Sequence, residues 1–242
     1  NGFQPDPSDV AAVVTPRTRA MVLNSPNNPT GAVWSGECLE AISRIVAGSR
    51  AFVVSDEVYH AFLFGEAEHL TPAALPGMRE RTVIVDSVSK TFSMTGWRVG
   101  WVAGPEPVVS AILRIRQHST ICATAFAQYG AVAALEGPGD VVREMVVEFE
   151  RRRDEAMATA CLLRHLRCSR PQGTFYIFPR IVGVDMPDEE VALRILDRTG
   201  VSTVGGSAFG RGGAGPLRIS LVRPAGELRD ALEAADSAIA SI

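Results

Sequence analysis

Lys90 stands in the segment Ser87-Val-Ser-Lys-Thr-Phe-Ser-Met-Thr-Gly-Trp-Arg-Val-Gly-Trp101, directly after the apolar run Thr82-Val-Ile-Val-Asp86. A lysine is therefore presented where a buried strand is expected to turn into a loop. In low-dielectric surroundings an amine gives up part of its preference for the charged form, and a neutral amine can attack a carbonyl and hold it as a Schiff base. Ser87 and Arg98 flank it with a hydroxyl and a guanidinium, groups suited to phosphate oxygens, and Ser89 is a weaker second hydroxyl. Taken alone, a Lys–Arg pair beside a glycine turn is commonly no more than two surface charges.

Two further segments argue for chemistry. Asn24-Ser-Pro-Asn-Asn-Pro-Thr-Gly31 closes the run Ala20-Met-Val-Leu23, and Ser55-Asp-Glu-Val-Tyr59 closes Ala51-Phe-Val-Val54. Three apolar runs thus end in polar clusters, and in a parallel α/β sheet ligands gather outside the carboxyl ends of the strands. A carbonyl-bearing, phosphorylated cofactor fits these groups, and pyridoxal 5′-phosphate is the one the chemistry points to. A surface Asp56-Glu57 pair and a set of plain turn formers in Asn-Pro and Thr-Gly are the structural alternatives.

A fourth cluster is the Gly-rich stretch Ser207-Ala-Phe-Gly-Arg-Gly-Gly-Ala-Gly-Pro-Leu-Arg-Ile-Ser220. Arg218 interrupts apolar neighbours in a short expected strand. A buried arginine needs a partner, and its planar fork matches a carboxylate with two parallel hydrogen bonds. Arg223, five residues on, is expected to face solvent. The pair Phe175 and Tyr176 could line a pocket or belong to the core.

The elements that must hold these residues follow from periodicity and turn chemistry. Strands are expected near 20–24, 51–55, 82–86 and 99–103, alternating with a helix over 36–48 and a turn-rich segment over 65–81. Helices are expected from Pro105 to His118 and from Ala123 to Leu135. After Gly137-Pro-Gly139 a long Arg-rich amphipathic helix runs from Asp140 to near Leu166. Then come Gly173–Phe178, a helix near 187–199, two short strands and a closing helix from Ala225. The pattern predicts an α/β major domain over 1–140 and a smaller α+β domain over 141–242, joined by the long helix.

Composition excludes several classes. Of the chain, 46% is hydrophobic and 21% charged, enough apolar material for one or two cores. A net charge of −3 argues against general affinity for nucleic acid or anionic membrane. Cys38, Cys122, Cys161 and Cys168 lack metal-ligand spacing and are expected as small buried apolar residues, so no metal site is read. No apolar stretch approaches about 18 uninterrupted residues, and no signal-like segment opens the chain, which points to a cytoplasmic protein.

Taken in order along essentially the whole chain, these motifs resemble the class I/II aminotransferases of the fold-type I pyridoxal-phosphate enzymes, closest to the bacterial aspartate/aromatic branch. The resemblance implies an aspartate aminotransferase-like fold: a large domain with a mostly parallel sheet and a smaller α+β C-terminal domain. It implies that Lys90 forms the Schiff base with the cofactor and shuttles the proton at the substrate α-carbon. By the same resemblance Asp56 would face the pyridine nitrogen and keep it protonated, and Asn28 and Tyr59 would hydrogen-bond the phenolic oxygen. Ser87 and Arg98 would hold the phosphate, Arg218 would clamp the substrate α-carboxylate, and Gly96 and Gly100 would let the backbone pass close to the cofactor. The expected reaction moves an amino group between an L-amino acid and a 2-keto acid, in a homodimer. A lyase or cyclase on the same fold, or a non-catalytic remnant serving as an interaction module, are the alternatives. Val204-Gly-Gly206 departs from the family's Val-Pro-Gly and leaves the stiffness of the following loop open. Some aspartate-preferring relatives place a second arginine shortly after the lysine loop, and Ser119–Gln128 has none. The resemblance also places the phosphate-binding amides, the ring-stacking aromatic and a terminal segment ahead of Asn1, so the chain is expected to be N-terminally incomplete and inactive alone.

Overall fold

A computed structural model describes residues 2–242 and separates two compact units: Phe3–Pro26 with Val33–Val142, and Asn27–Ala32 with Arg143–Ile242. The first unit opens with helix α1 (Pro7–Val13), which the sequence pattern did not announce. Asp6 caps it by accepting from the Ser8 N–H, and Pro7 supplies a preset φ at the first turn. Strand β1 (Ala20–Asn24) leads to helix α2 (Gly36–Ala47), capped by the Ser35 hydroxyl on the Cys38 N–H at 3.2 Å. Strands β2 (Phe52–Asp56) and β3 (Thr82–Ser87) follow, then the single turn α3 (Val88–Thr91), strand β4 (Gly100–Ala103) and helices α4 (Glu106–Gln117) and α5 (Ala125–Glu136).

The sheet order is β1-β2-β3-β4, with the first three strands parallel and β4 antiparallel to β3. Parallel pairing aligns the carboxyl ends of β1, β2 and β3 along one edge. Asn24 lies opposite Asp56, and Ser87 lies opposite Gly100. The core behind that edge forms because α2 repeats apolar residues at helical spacing: Leu39, Ile42 and Val46 pack with Leu23, Val53 and Met78. Each such side chain stabilises the unit by about 1.5–3 kcal/mol on burial. By contrast α4 buries no residue, and α5 buries only Ala127 and Ala131 while Phe126, Tyr129, Val132 and Leu135 are exposed.

The second unit contains most of helix α6 (Asp140–Leu162), then strands β5 (Leu166–Arg167), β6 (Tyr176–Ile177) and β7 (Arg180–Ile181), helix α7 (Asp188–Thr199), strands β8 (Val204–Gly205) and β9 (Leu217–Ser220), and helix α8 (Ala225–Ala240). Antiparallel β5 pairs with β7, and β9 lies between β6 and β8. Ile177, Ile195, Leu217, Leu221 and Leu232 make its centre. Gly200, with φ of 72°, ends α7 in the left-handed conformation that glycine adopts without steric cost.

Two expectations are corrected. Helix α6 stops at Leu162 rather than near Leu166, because the next backbone N–H groups turn to a distant acceptor: His165 and Arg164 donate to the Asp236 carboxylate of α8 at 2.6 and 3.2 Å. Leu166 is released into β5 and is fully buried. The cysteines are not uniformly buried either: Cys38 is, whereas Cys122 in the α4–α5 connection and Cys161 in the last turn of α6 are exposed. Among the described residues, no helix is long and apolar enough to cross a membrane.

Candidate active site

In the first unit Asp56, Tyr59, Ser87 and Lys90 are gathered at or just beyond the carboxyl ends of β2 and β3. Tyr59 is 3% exposed, and the Lys90 Nζ sits 5.9 Å from the centre of its ring. Lys90 is half-buried in α3, whose short turn is started by Ser87: the Ser87 Oγ accepts from the Ser89 N–H at 3.2 Å. That hydroxyl thereby keeps its own proton to donate. Arg98 has a φ of 56° and donates from Nη1 to the Thr95 carbonyl at 2.7 Å, so its exposed guanidinium is fixed just before β4. The two glycines considered for close backbone approach differ. Gly100 lies against Asp86 and Ser87 of β3, where a Cβ would come 2.8 Å from the Asp86 carbonyl, so strand pairing is what requires it. A Cβ on Gly96 would meet nothing within 4 Å beyond its chain neighbours.

Asp56 is half-buried, with one carboxylate oxygen accepting from the Val58 N–H at 3.3 Å. Burial pushes its carboxyl up, and the charges of Asp86 and Glu57 add to that against the single Val58 bond. Such a carboxylate is satisfied by a nearby cation, and a protonated ring nitrogen is one.

Glu57, the next residue, is not a surface charge but 6% exposed. Its carboxylate accepts from Thr71 at 2.6 Å and meets the His69 Nε2 at 3.0 Å. Burial pushes this carboxyl up, but hydrogen bonds from His69, Thr71 and Ser55 and the His69 charge outweigh it and hold it below the ordinary value. Beside it, the His60 Nδ1 lies 3.3 Å from Asp86 Oδ2 and 3.1 Å from the Glu57 carbonyl. The Asp86 hydrogen bond raises the His60 pKa. None of Glu57, His60, His69, Thr71 or Asp86 was among the residues singled out from sequence. Partners 12 and 14 positions away in a turn-rich segment leave no periodic signal.

The depressed Glu57 pKa makes a stability prediction. Its contribution is fully present above the unfolded value of about 4.5 and is lost as pH falls through the lower folded value. Glu57→Gln is expected to cost about 1.5–3 kcal/mol at neutral pH. In urea unfolding, the gap between wild type and variant should shrink only on the acid side. A gap that stayed constant down to the lowest folded pH would contradict the assignment.

In the second unit Arg218 on β9 is half-buried and its partners are visible. Nη1 donates to the Asn28 Oδ1 at 3.1 Å, and the guanidinium carbon lies 4.6 Å from the Tyr176 ring centre and 4.9 Å from that of Phe209. Asn28 belongs to a segment tied down by the Gly31 carbonyl, which accepts from the Gln172 and Gly173 N–H groups, both at 2.9 Å. The aromatic pair divides. Phe175 stacks on Phe149 and supports the core, while Tyr176 lies under Arg218. Arg223 is exposed, lies just ahead of α8 and pairs with Glu227 in the first turn of that helix.

The donor set fits pyridoxal phosphate. It offers an amine for the aldehyde, a carboxylate that a ring cation would satisfy, a buried phenol, and a hydroxyl with a guanidinium for the phosphate.

Comparison with known proteins agrees. Residues 1–234 match the family described as aminotransferase class I and II. The chain is 40% identical over 231 residues to the arginine–pyruvate transaminase of Pseudomonas aeruginosa, covering 96% of this chain and 58% of that protein. It is 38% identical over 217 residues to an aspartate aminotransferase of Geobacillus stearothermophilus, covering 87% of this chain and 55% of the relative. The crystal structure of an aromatic aminotransferase from Pyrococcus horikoshii superposes with a TM-score of 0.95 at 37% identity, covering 99% of this chain and 65% of that one. The chain thus spans less than two thirds of the length of each. With a matching family model over nearly all of its residues and this fold, the chain belongs to the class I and II aminotransferases, whose cofactor is pyridoxal 5′-phosphate.

Proposed function

We propose that this chain carries the lysine-bearing part of an aminotransferase that moves an amino group from an L-amino acid to a 2-keto acid and works as a homodimer. The observation that carries the reading is the grouping of Lys90, Tyr59, Asp56 and Ser87 at the carboxyl edge of the parallel strands. The bound cofactor supplies a ring able to take up the electron pair left when the substrate loses its α-proton. Lys90 holds the cofactor through its amine and, once released, moves the proton at the substrate α-carbon. The Asp56 carboxylate holds a proton on the ring nitrogen, while Tyr59 and Asn28 donate to the phenolic oxygen. Ser87 and Arg98 bind phosphate oxygens, and Arg218 binds the α-carboxylate shared by every amino-acid donor. Relatives named for arginine, aspartate and aromatic amino acids support that general substrate class. Exposed Phe126, Tyr129, Val132 and Leu135 on α5 support a subunit contact. Free cysteines, two of them exposed, support a reducing compartment such as the cytoplasm.

The test is a half-reaction screen in which amino acids are added to the cofactor-loaded enzyme of which this chain is the lysine-bearing part, and conversion to the aminated cofactor is followed spectrally. Return to the starting spectrum with a 2-keto acid is the expected result. Product formation without that return would indicate elimination chemistry instead. In the same assay Asp56→Ala is expected to lower turnover by at least about 100-fold, the scale of a preorganised electrostatic contact. Amino-acid affinity should change far less. Equal activity in variant and wild type would remove Asp56 from the site.

A further inference from the structure

The Gly-rich loop before Arg218 is closed by one buried carboxylate. Asp188, at the start of α7 and 5% exposed, accepts at Oδ2 from the Ser207 N–H at 2.9 Å and the Gly215 N–H at 2.7 Å. Its Oδ1 accepts from the Ser207 hydroxyl at 2.5 Å. Ser207 and Gly215 are the two ends of the loop, so a single side chain ties both. Between them the arms nearly touch: a Cβ on Gly206 would lie 2.0 Å from the Gly213 carbonyl oxygen. Phe209, at the end of the first turn of the loop, places its ring on Arg218 and meets Phe178 edge-on at 6.4 Å. Four of the nine residues from Ser207 to Gly215 are glycine, the residue type that loses most freedom on ordering. Something must hold such a loop, and the geometry shows what does.

Resting on the reading of Arg218 as the carboxylate-binding group, we infer that Asp188 is a positioning residue: by clasping Ser207 and Gly215 it keeps Phe209 on Arg218 and so fixes the guanidinium for a bidentate partner. Burial pushes the Asp188 carboxyl up, but bonds from Ser207, Gly215 and Glu189 outweigh it and keep the clasp ionised at neutral pH. Charge-assisted bonds of this kind are the stronger ones. The clasp also answers the departure at Val204-Gly-Gly206. Gly205 keeps a φ of −58°, near the angle a proline ring imposes, and the loop is held from α7 instead of by a ring.

The experiment compares wild type, Asp188→Ala and Ser207→Ala by NMR and hydrogen exchange. The Arg218 side-chain signals, assigned by their loss in Arg218→Lys, are shifted by the two rings in the wild type. In Asp188→Ala they should move toward unstructured positions, and amides from 206 to 215 should exchange at least about tenfold faster, the factor for one lost charged hydrogen bond. Methyl signals of Ile177, Ile195 and Leu217 should stay in place. Ser207→Ala, which keeps the Gly215 bond, should show the same change in smaller degree and serves if Asp188→Ala does not fold. Arg218 signals unmoved in the folded variants would overturn the inference, even with faster loop exchange, since Asp188 would then be merely structural. In the half-reaction, Asp188→Ala should raise the amino-acid KM about tenfold while kcat stays within about twofold. Displaced Arg218 signals with an unchanged KM in both Asp188→Ala and Arg218→Lys would uphold the positioning role and reject the carboxylate assignment of Arg218.

Discussion

Lys90→Ala is expected to abolish covalent cofactor attachment and to lower amino-group transfer by at least about 10²–10⁴-fold, the range for loss of one positioned acid–base group. Lys90 is the only lysine among the 242 residues, the remaining 23 of the 24 basic side chains being arginines. Arginine stays charged at any working pH and offers no nucleophilic amine, so no other side chain among these 242 residues can take over. The surroundings suit the role as well: Lys90 is half-buried, follows a buried Val88 and sits near the buried ring of Tyr59. Having one lysine in these 242 residues also makes the attachment site simple to read here. Borohydride reduction followed by proteolysis and mass spectrometry should find the cofactor on the Lys90 peptide alone and on no internal peptide of Lys90→Ala. Attachment persisting in the variant, or turnover at the wild-type rate, would end the assignment.

Arg218→Lys is expected to weaken recognition of amino acids by about 2–5 kcal/mol, roughly 30- to 4,000-fold. A lysine keeps the charge but not the planar fork, and it stacks poorly on the Tyr176 and Phe209 rings between which the guanidinium is oriented. The Asn28 Oδ1 would also lose its 3.1 Å donor. Comparing amino acids with their decarboxylated amines isolates the carboxylate term. The variant should lose most of its preference for the acid while handling the amine much as before. A loss equal for both would make Arg218 a structural residue that orders Asn28 and the aromatic rings.

The strands and their polar ends were legible in the sequence because the signals are local. The apolar runs read near 20–24, 51–55 and 82–86 fall within one residue of β1, β2 and β3, which end at Asn24, Asp56 and Ser87. Helix α2, expected over 36–48, forms over Gly36–Ala47. Lys90 stood out because it follows an apolar run where a strand turns into a loop, and Arg218 because it is a charge set among apolar neighbours; both signals lie within a few residues.

Tertiary structure decided what depends on partners far along the chain. The end of α6 is set by Asp236, 71 positions from His165. Glu57 becomes a buried anchor only because the turn-rich segment folds His69 and Thr71 onto it. Asp188 reads as an ordinary acidic residue in the first turn of a helix until Ser207 and Gly215 arrive, 19 and 27 positions later. The exposure of Cys122 and Cys161 depends likewise on which faces of the surrounding elements are covered. Periodicity and capping report on a window of one or two turns. A side chain whose partners lie outside that window must be satisfied by the fold, and its role emerges only when burial makes an unmet hydrogen bond costly.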